Sequence, residues 1–110
     1  MQLASYIDHT NLKPAATSHH IKRLCDEAME YEFHSVCVNP CWVSLARERL
    51  RSSPVRVCTV IGFPLGAHLL QTKALEAKQT LGLGADEFDM VINVGAAKEG
   101  LWSFVHEEIQ

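Results

Sequence analysis

The sequence predicts an α/β fold built on a parallel β-sheet. Short runs of β-branched and apolar residues alternate with amphipathic helical patterns throughout the 110 residues. Three of the four runs are apolar at consecutive positions, which is typical of parallel strands buried on both faces. The resulting order, in which each strand is followed by a helix, requires right-handed crossover connections. The periodicity leaves open whether the sheet is doubly wound or forms one side of a barrel.

The first half of the chain begins with a strand, a helix and a second strand. Residues 6–10 form a short polar strand, and residues 35–38 form a buried strand that ends at Asn39 and Pro40. Between them, a helix begins after Thr17, a suitable N-cap residue. Its inward face carries apolar residues at helical spacing, namely Ile21, Leu24, Cys25, Ala28 and Met29.

The rest of the chain repeats this alternation. A helix over residues 41–50 precedes a strand over residues 55–61, and a loop at residues 62–66 leads to a third helix. The spacing predicts that this third helix turns Leu70, Ala74, Ala77 and Leu81 inward and Lys73, Glu76 and Lys78 outward. The fourth strand spans residues 88–94, and a last helix begins near Leu101.

Composition and charge narrow the classes of function. The formal net charge is −3 and the basic residues are scattered, so a nucleic-acid partner is not expected. The sequence shows no membrane-spanning apolar run and no signal pattern, so a cytoplasmic protein is expected. The four cysteines are expected to be free thiols, and neither they nor the histidines have zinc-site spacing, so no metal is expected. Dinucleotide-binding and P-loop glycine motifs are absent.

The most informative residue for function is Asp89, which lies within the otherwise apolar run at residues 88–94. An ionised carboxylate in an apolar interior is costly unless it is paired, neutralised or used. A carboxyl group whose pKa is shifted by such an environment makes a good proton shuttle. The sequence therefore predicts a catalytic role for Asp89.

Further polar residues lie toward the carboxyl ends of the predicted strands, where parallel α/β folds bind ligands. They are Asp8 and Thr10 on the first strand, Cys37 and Asn39 on the second, Thr59 on the third and Asn93 on the fourth. Alternatively, the threonines and asparagines end strands and cap turns, Asp8 is a turn residue and Cys37 is an inert core thiol. The spacing alone leaves both interpretations open.

Four segments, in the same order along the chain, resemble the deoxyribose-phosphate aldolase family. They are residues 7–14 (IDHTNLKP), 35–40 (SVCVNP), 57–66 (VCTVIGFPLG) and 84–93 (GADEFDMVIN). The resemblance covers essentially the whole chain, but only the amino-terminal half of that family's TIM (β/α)8 barrel. It implies that residues 1–110 form one domain, an incomplete barrel of about four β/α units with parallel strands.

The resemblance also implies a reaction. Family members cleave 2-deoxy-D-ribose 5-phosphate to D-glyceraldehyde 3-phosphate and acetaldehyde through a lysine Schiff base, without a metal or other cofactor. By motif position, Asp89 matches the proton donor/acceptor and Asp8 a supporting carboxylate. The remaining polar residues are expected to contact a small phosphorylated sugar or aldehyde, namely Thr10, Cys37, Asn39, Thr59 and Asn93.

The chain departs from the family in length. The Schiff-base lysine and the lysine that lowers its pKa belong to later strands in the family. None of the five lysines present matches them, namely Lys13, Lys22, Lys73, Lys78 and Lys98. The expectation is a truncated chain that is inactive alone. The alternative is a half-barrel module that pairs with a second copy, or with a carboxyl-terminal half, through its open sheet edges.

Two smaller departures from the family are expected to destabilise the fold. Glu32 stands where the family often has glycine, at a helix end that prefers positive φ, which costs a non-glycine residue roughly 1 kcal/mol. Phe88 stands where isoleucine or valine is usual and is expected to overfill a close-packed layer.

Overall fold

The protein folds as an open, parallel, four-stranded β-sheet with helices between successive strands. The computed structural model describes residues 3–110. In chain order, the elements are a 3₁₀ helix (Leu3–Tyr6), β1 (Asp8–Asn11), α1 (Ser18–Tyr31), β2 (Ser35–Val38), a 3₁₀ turn (Pro40–Trp42), α2 (Val43–Arg49), β3 (Arg56–Ile61), α3 (Leu70–Leu83), β4 (Glu87–Met90), α4 (Val94–Lys98) and α5 (Trp102–Ile109). The strands lie in the order β1-β2-β3-β4, and each neighbouring pair is parallel. The predicted alternation is confirmed.

The main hydrophobic core lies between the sheet and the first two helices. Val36 and Val38 of β2 and Val57 of β3 are fully buried and belong to this core. The residues that pack with them are Ile21, Leu24, Cys25 and Ala28 of α1, Val43 and Ala46 of α2, and Leu50, which follows α2. The apolar face predicted for the first helix is therefore the face that covers the sheet.

Both outer strands begin or end differently from the prediction. β1 begins only at Asp8, because the preceding residues Leu3–Tyr6 form a 3₁₀ helix. β4 ends at Met90, since the chain turns into α4 shortly afterwards. Asn93 is the N-cap of that helix, and its side-chain oxygen accepts the N–H of Ala96 at 2.9 Å. Asp8 consequently opens β1 instead of lying in its middle.

The predicted inward face of α3 is wrong. Lys73 is 3% exposed, whereas Ala74 is exposed and Leu81 is 60% exposed. Leu70 and Ala77 of the predicted stripe are only half-buried. Lys73 lies against α5 and meets Glu108, 35 residues further along the chain. This distant carboxylate explains how the lysine side of the helix can be buried.

The ion pair between Lys73 and Glu108 holds α5 against α3. The Lys73 Nζ donates to one carboxylate oxygen of Glu108 at 2.5 Å, and the other oxygen accepts the backbone N–H of Asn93 at 2.8 Å. Burial raises the pKa of Glu108, but the hydrogen bonds from Lys73 and Asn93 and the charge of Lys73 outweigh it. The pKa of Glu108 is therefore held below its ordinary value of 4.5. The carboxylate thus joins two helices to the segment that follows β4.

The expectation for Glu32 is confirmed in its backbone conformation, and that for Phe88 is wrong. Glu32 ends α1 with φ 56° and ψ 44°, a left-handed conformation that glycine adopts more easily. Phe88 is 37% exposed, so it does not overfill a packed layer. The helix-facing side of β4 is less covered than that of β2 and β3.

The described surface includes open sheet edges and exposed apolar side chains. β1 pairs only with β2, and β4 only with β3, within residues 3–110. Exposed apolar side chains lie on the elements near the β4 edge, among them Leu81, Phe88, Trp102 and Ile109.

Within residues 3–110, no helix combines the length and the apolar character that crossing a bilayer requires.

Replacing Glu32 with glycine is expected to stabilise the protein by about 1 kcal/mol, because glycine accepts a positive φ without the steric cost of a Cβ atom. The matched control is Glu30→Gly, which lies inside α1 and is expected to destabilise by about 1 kcal/mol through lost helix propensity. Urea unfolding followed by circular dichroism measures both variants. Destabilisation by Glu32→Gly would contradict the assignment of strain to this residue.

Glu108→Gln is expected to lower the free energy of unfolding by about 3–5 kcal/mol, because it leaves the Lys73 ammonium buried without a counter-charge. The control is Glu107→Gln on the exposed side of α5, which should change stability by less than about 0.5 kcal/mol. Urea unfolding at neutral pH compares them. Equal losses in both variants would contradict a stabilising role for the buried pair.

The same pair predicts a dependence on acid. Because the pKa of Glu108 is lower in the folded state than its ordinary value of 4.5, its contribution is complete above that pH. The contribution falls away as the pH drops through the folded-state pKa. Unfolding curves below pH 4.5 should therefore bring the wild type and Glu108→Gln closer together in stability, and a constant difference at all acidic pH values would refute this linkage.

Candidate active site

The helices α1 and α2 cover one face of the sheet, and the other face carries carboxylate, thiol and hydroxyl side chains. In-register pairing places Thr10 beside Cys37 and Cys37 beside Cys58, and these side chains point away from the helix-covered core. Asp8 and Asp89 lie on the same side by the register of β1 and β4. We call the surface formed by Asp8, Thr10, Cys37, Cys58 and Asp89 the open face. It gathers four of the predicted site residues.

Asp89 is exposed on the open face, so the expectation of a carboxylate enclosed in an apolar interior is wrong. The physical reason is that the main core packs on the opposite face of the sheet, which leaves Asp89 in contact with solvent. Its carboxylate nevertheless lies close to two thiols. One carboxylate oxygen and the Sγ atoms of Cys37 and Cys58 all lie within 4.8 Å of one another.

Cys37 and Cys58 form an interacting pair of buried thiols beside Asp89. The two residues are 3% and 1% exposed. The hydrogen bond with Cys58 lowers the pKa of Cys37, and it outweighs burial and the charges of Asp89 and Asp8, which raise it. The same hydrogen bond, reinforced by burial, raises the pKa of Cys58. The charges of Asp89 and Asp8 also raise the pKa of both thiols.

Asp8 lies at the amino end of the sheet, so its predicted position toward the carboxyl end is wrong. It is the first residue of β1, and its carboxylate accepts the hydroxyl of the buried Ser35 at 2.5 Å. His34 and Glu87 are hydrogen-bonded to each other at 2.9 Å and lie within 4.8 Å of Asp8. The charge of Asp8 still raises the pKa of Cys37, so that both carboxylates act on the same thiol.

Three other predicted site residues make local structural contacts. The Thr10 hydroxyl donates to the carbonyl of Asp8 at 2.9 Å, and the Asn39 amide donates to the carbonyl of Leu12 at 3.1 Å. Asn93 caps α4 through its side-chain oxygen. These contacts fit the alternative interpretation, in which such residues fix turns and helix ends. Their use as ligand contacts stays a prediction.

The structure does not bring Thr59 to the open face. It is fully buried, and its hydroxyl donates to the carbonyl of Val38 at 2.8 Å. Because Thr59 follows Cys58 in a strand, its side chain points to the opposite, helix-covered face. A direct contact between Thr59 and a ligand on the open face is therefore contradicted.

The lysines of this chain do not offer an unpaired, desolvated amine. Lys73 is buried but bound to Glu108. The other four lysines are exposed, namely Lys13, Lys22, Lys78 and Lys98. A Schiff-base lysine works as a nucleophile when burial or a neighbouring cation favours its neutral form, and an adjacent carboxylate has the opposite effect. Lys73 is consequently a structural residue.

The sequence patterns did not single out several residues that the fold brings to this region. Cys58 joins Cys37 through strand register, while Ser35, His34 and Glu87 surround Asp8. One signal was available for Cys58, since neighbouring strands each carry a cysteine among apolar residues. The cluster around Asp8 is formed by residues at the starts of three different strands. Their spacing along the sequence therefore does not predict it.

Two surface cavities lie away from Asp89. A cavity of 760 Å³ is lined by residues of α4 and α5, including Gly95 and Trp102. Another, of 770 Å³, lies between α3, β4 and α5 and is lined in part by Ala74 and Phe88. Asp89 lines neither of them. The candidate site is therefore an exposed patch of sheet rather than a closed pocket.

The sequence as a whole is similar to a known family of enzymes. The model of the DeoC/LacD family aldolases matches residues 2–110. A deoxyribose-phosphate aldolase of Caldicellulosiruptor saccharolyticus is 56% identical over 99% of this chain and 50% of its own length. One of Streptococcus gordonii is also 56% identical, over 100% of this chain and 50% of its own length. The chain thus spans about half the length of the curated relatives it matches.

Solved structures of aldolases share the fold. The tetrameric deoxyribose phosphate aldolase from Aeropyrum pernix superposes with a TM-score of 0.88 at 36% identity, over 97% of this chain and 44% of that one. The aldolase QR15 superposes with a TM-score of 0.92 at 38% identity, over 98% of this chain and 48% of that one. The four parallel strands and their helices are therefore β/α units of the TIM-barrel kind.

Proposed function

Because the chain belongs to the DeoC/LacD family of aldolases, we propose that it supplies the acid–base half of a deoxyribose-phosphate aldolase site. The observation that carries the proposal is the position of Asp89. Its carboxylate projects from β4 onto the open face, beside the Cys37 thiol and accessible to solvent. A substrate bound over the open face would meet this carboxylate directly.

The reaction that this arrangement would serve is the cleavage of 2-deoxy-D-ribose 5-phosphate to D-glyceraldehyde 3-phosphate and acetaldehyde. In class I chemistry, a lysine iminium accepts the electron pair of the breaking carbon–carbon bond, while a base takes the proton of the substrate hydroxyl. The resulting enamine then takes up a proton at carbon. Asp89 is the proposed carrier of these protons, since its carboxylate is accessible to a substrate from the open face.

Asp8 and the polar residues around it have supporting roles in the proposal. The charges of Asp8 and Asp89 both raise the pKa of the Cys37 thiol. The Ser35 hydroxyl fixes the Asp8 carboxylate in place. The proposed substrate contacts are Thr10, Cys37, Asn39 and Asn93. Thr59 is left out because its side chain faces the helices.

The nucleophilic lysine is proposed to come from outside these 110 residues. The curated relatives are about twice as long as this chain, and the lysines present here are exposed or bound to Glu108. The chain alone would therefore bind and orient without cleaving. The rest of the barrel, on the same or on another polypeptide, would cover the open face.

The isolated chain is expected to form no covalent adduct when it is incubated with 2-deoxy-D-ribose 5-phosphate and borohydride. The reason is that its lysines lack the environment that a Schiff-base nucleophile needs. Intact-mass analysis provides the measurement. A stable adduct on a lysine of this chain would refute the proposed division of the site.

Combining the chain with the carboxyl-terminal half of the Caldicellulosiruptor saccharolyticus relative tests the role of Asp89. If activity appears, Asp89→Asn should lower kcat by roughly 10²–10⁴-fold, the usual contribution of a positioned acid or base. The control is Glu30→Gln, an exposed acidic residue on α1, which should leave kcat unchanged. Equal kcat values for the wild type and Asp89→Asn would remove Asp89 from the mechanism.

A second candidate function is a self-associating half-barrel without catalysis. The observation that favours it is the pair of open sheet edges at β1 and β4, together with exposed apolar residues such as Leu81 and Trp102. A tetramer is also described for the Aeropyrum pernix relative.

Size-exclusion chromatography with light scattering decides this second candidate. Pairing through open edges predicts a mass of twice 12.3 kDa or a larger multiple. Phe88→Lys, at the exposed edge strand, should shift the equilibrium to monomer, whereas Lys78→Glu on the exposed part of α3 should not. A monomeric wild type with a cooperative unfolding transition would exclude self-association.

A further inference from the structure

The fold brings two thiols and one carboxylate from three adjacent strands to a single point. Cys37 of β2 pairs in register with Cys58 of β3, and Asp89 of β4 lies next to them. The two Sγ atoms and a carboxylate oxygen lie within 4.8 Å of one another. We propose that Cys37, Cys58 and Asp89 form a binding site for a thiophilic divalent cation, with Zn²⁺ as the biological candidate.

The donor set matches the preferences of this class of metal. Two thiolates are soft ligands that favour Zn²⁺ and Cd²⁺ over Mg²⁺ and Ca²⁺, which prefer sites made of oxygen. Three protein ligands with a fourth position open to water are typical of accessible zinc sites. The exposure of Asp89 leaves the carboxylate side of the site open to water, while the two sulfurs lie beneath it at 3% and 1% exposure. Binding would release the thiol protons to solvent as the two Zn–S bonds form.

The distances require only a small adjustment. Zn–S bonds of about 2.3 Å and Zn–O bonds of about 2.0–2.2 Å place tetrahedral ligand atoms roughly 3.3–3.8 Å apart. The three atoms lie within 4.8 Å of one another, so metal binding would require them to approach by up to about 1 Å. Cys37 and Cys58 are held by the ladder between β2 and β3 and are buried, so they are already ordered before the metal arrives.

A second group of potential ligands in the described structure is less suitable. Asp8, His34 and Glu87 also lie within 4.8 Å of one another. However, His34 and Glu87 are hydrogen-bonded to each other at 2.9 Å, and Asp8 accepts the Ser35 hydroxyl at 2.5 Å. A metal would have to displace the His34–Glu87 contact, and it would find no sulfur ligand there. The two thiols therefore favour the site beside Asp89.

Occupation of the site would affect the proposed aldolase chemistry, and this consequence rests on the proposed function. Asp89 would be a metal ligand, so it would no longer exchange protons with a substrate. Zn²⁺ would then act as an inhibitor rather than as a cofactor. The binding itself does not depend on catalysis and is measured on the chain alone.

The test is a titration of the reduced chain with Cd²⁺, followed by the ultraviolet absorbance of the cadmium–thiolate bonds. Competition with a chromophoric chelator gives the affinity for Zn²⁺. We expect one ion per chain, with a thiolate band in the wild type. Cys58→Ser and Asp89→Asn should each weaken binding roughly tenfold or more, because loss of even an outer-shell partner typically costs 10–100-fold.

The control variant is Cys41→Ser, since Cys41 is an exposed thiol outside the cluster. It should bind both metals as tightly as the wild type. Asp89→Asn is expected to fold like the wild type, because Asp89 is exposed. Circular dichroism verifies that the sheet persists, so weaker binding by this variant is not caused by unfolding. Wild-type affinity in both cluster variants would overturn the proposal, as would a loss of the thiolate band in Cys41→Ser.

Discussion

The structure depends on a sheet whose main hydrophobic core lies on one side. The helices α1 and α2 pack against Val36, Val38 and Val57, and strand geometry then sends the alternate side chains to the other face. That face is solvated at Asp89, so it tolerates carboxylates that an enclosed core would not. The open face can therefore be polar while the helix-covered face supplies most of the apolar burial. Chemistry and stability are divided between the two sides of the same four strands.

The sequence predicted the order of elements well because apolar periodicity reports local burial. The sequence did not predict which side chains of a strand face the helices. In β3, apolar residues occupy consecutive positions, so the pattern is the same on both faces. Thr59 was consequently expected to contact a substrate, although its side chain faces the helices and its neighbour Cys58 lies on the open face. Asp89 was expected to be buried because its neighbours in sequence are apolar. Such a run does not reveal whether other elements cover that face of the strand. These errors concern tertiary contacts, which single-strand patterns do not encode.

Lys73 shows the same limit for helices. The helical spacing placed Lys73 away from the apolar stripe of α3 and predicted that it is exposed. The carboxylate that makes its burial possible lies on α5. Glu108 binds Lys73 with one oxygen and the backbone of Asn93 with the other. The chain that leaves β4 after Asp89 is thereby anchored to the last helix. A helix with no residue on the open face thus helps to fix the strand that carries the candidate acid.

The strand order β1-β2-β3-β4 follows the order of synthesis. Each strand pairs with its predecessor, so every crossover closes a loop of one helix and its connections, and no strand waits for a partner from a distant part of the chain. The entropic cost of closing a loop grows only slowly with its length, although pairings such as that of Asp8 with Ser35 are non-local and parallel sheets fold more slowly than helical bundles. The sheet can therefore grow one strand at a time as the chain leaves the ribosome, with β4 as the growing edge.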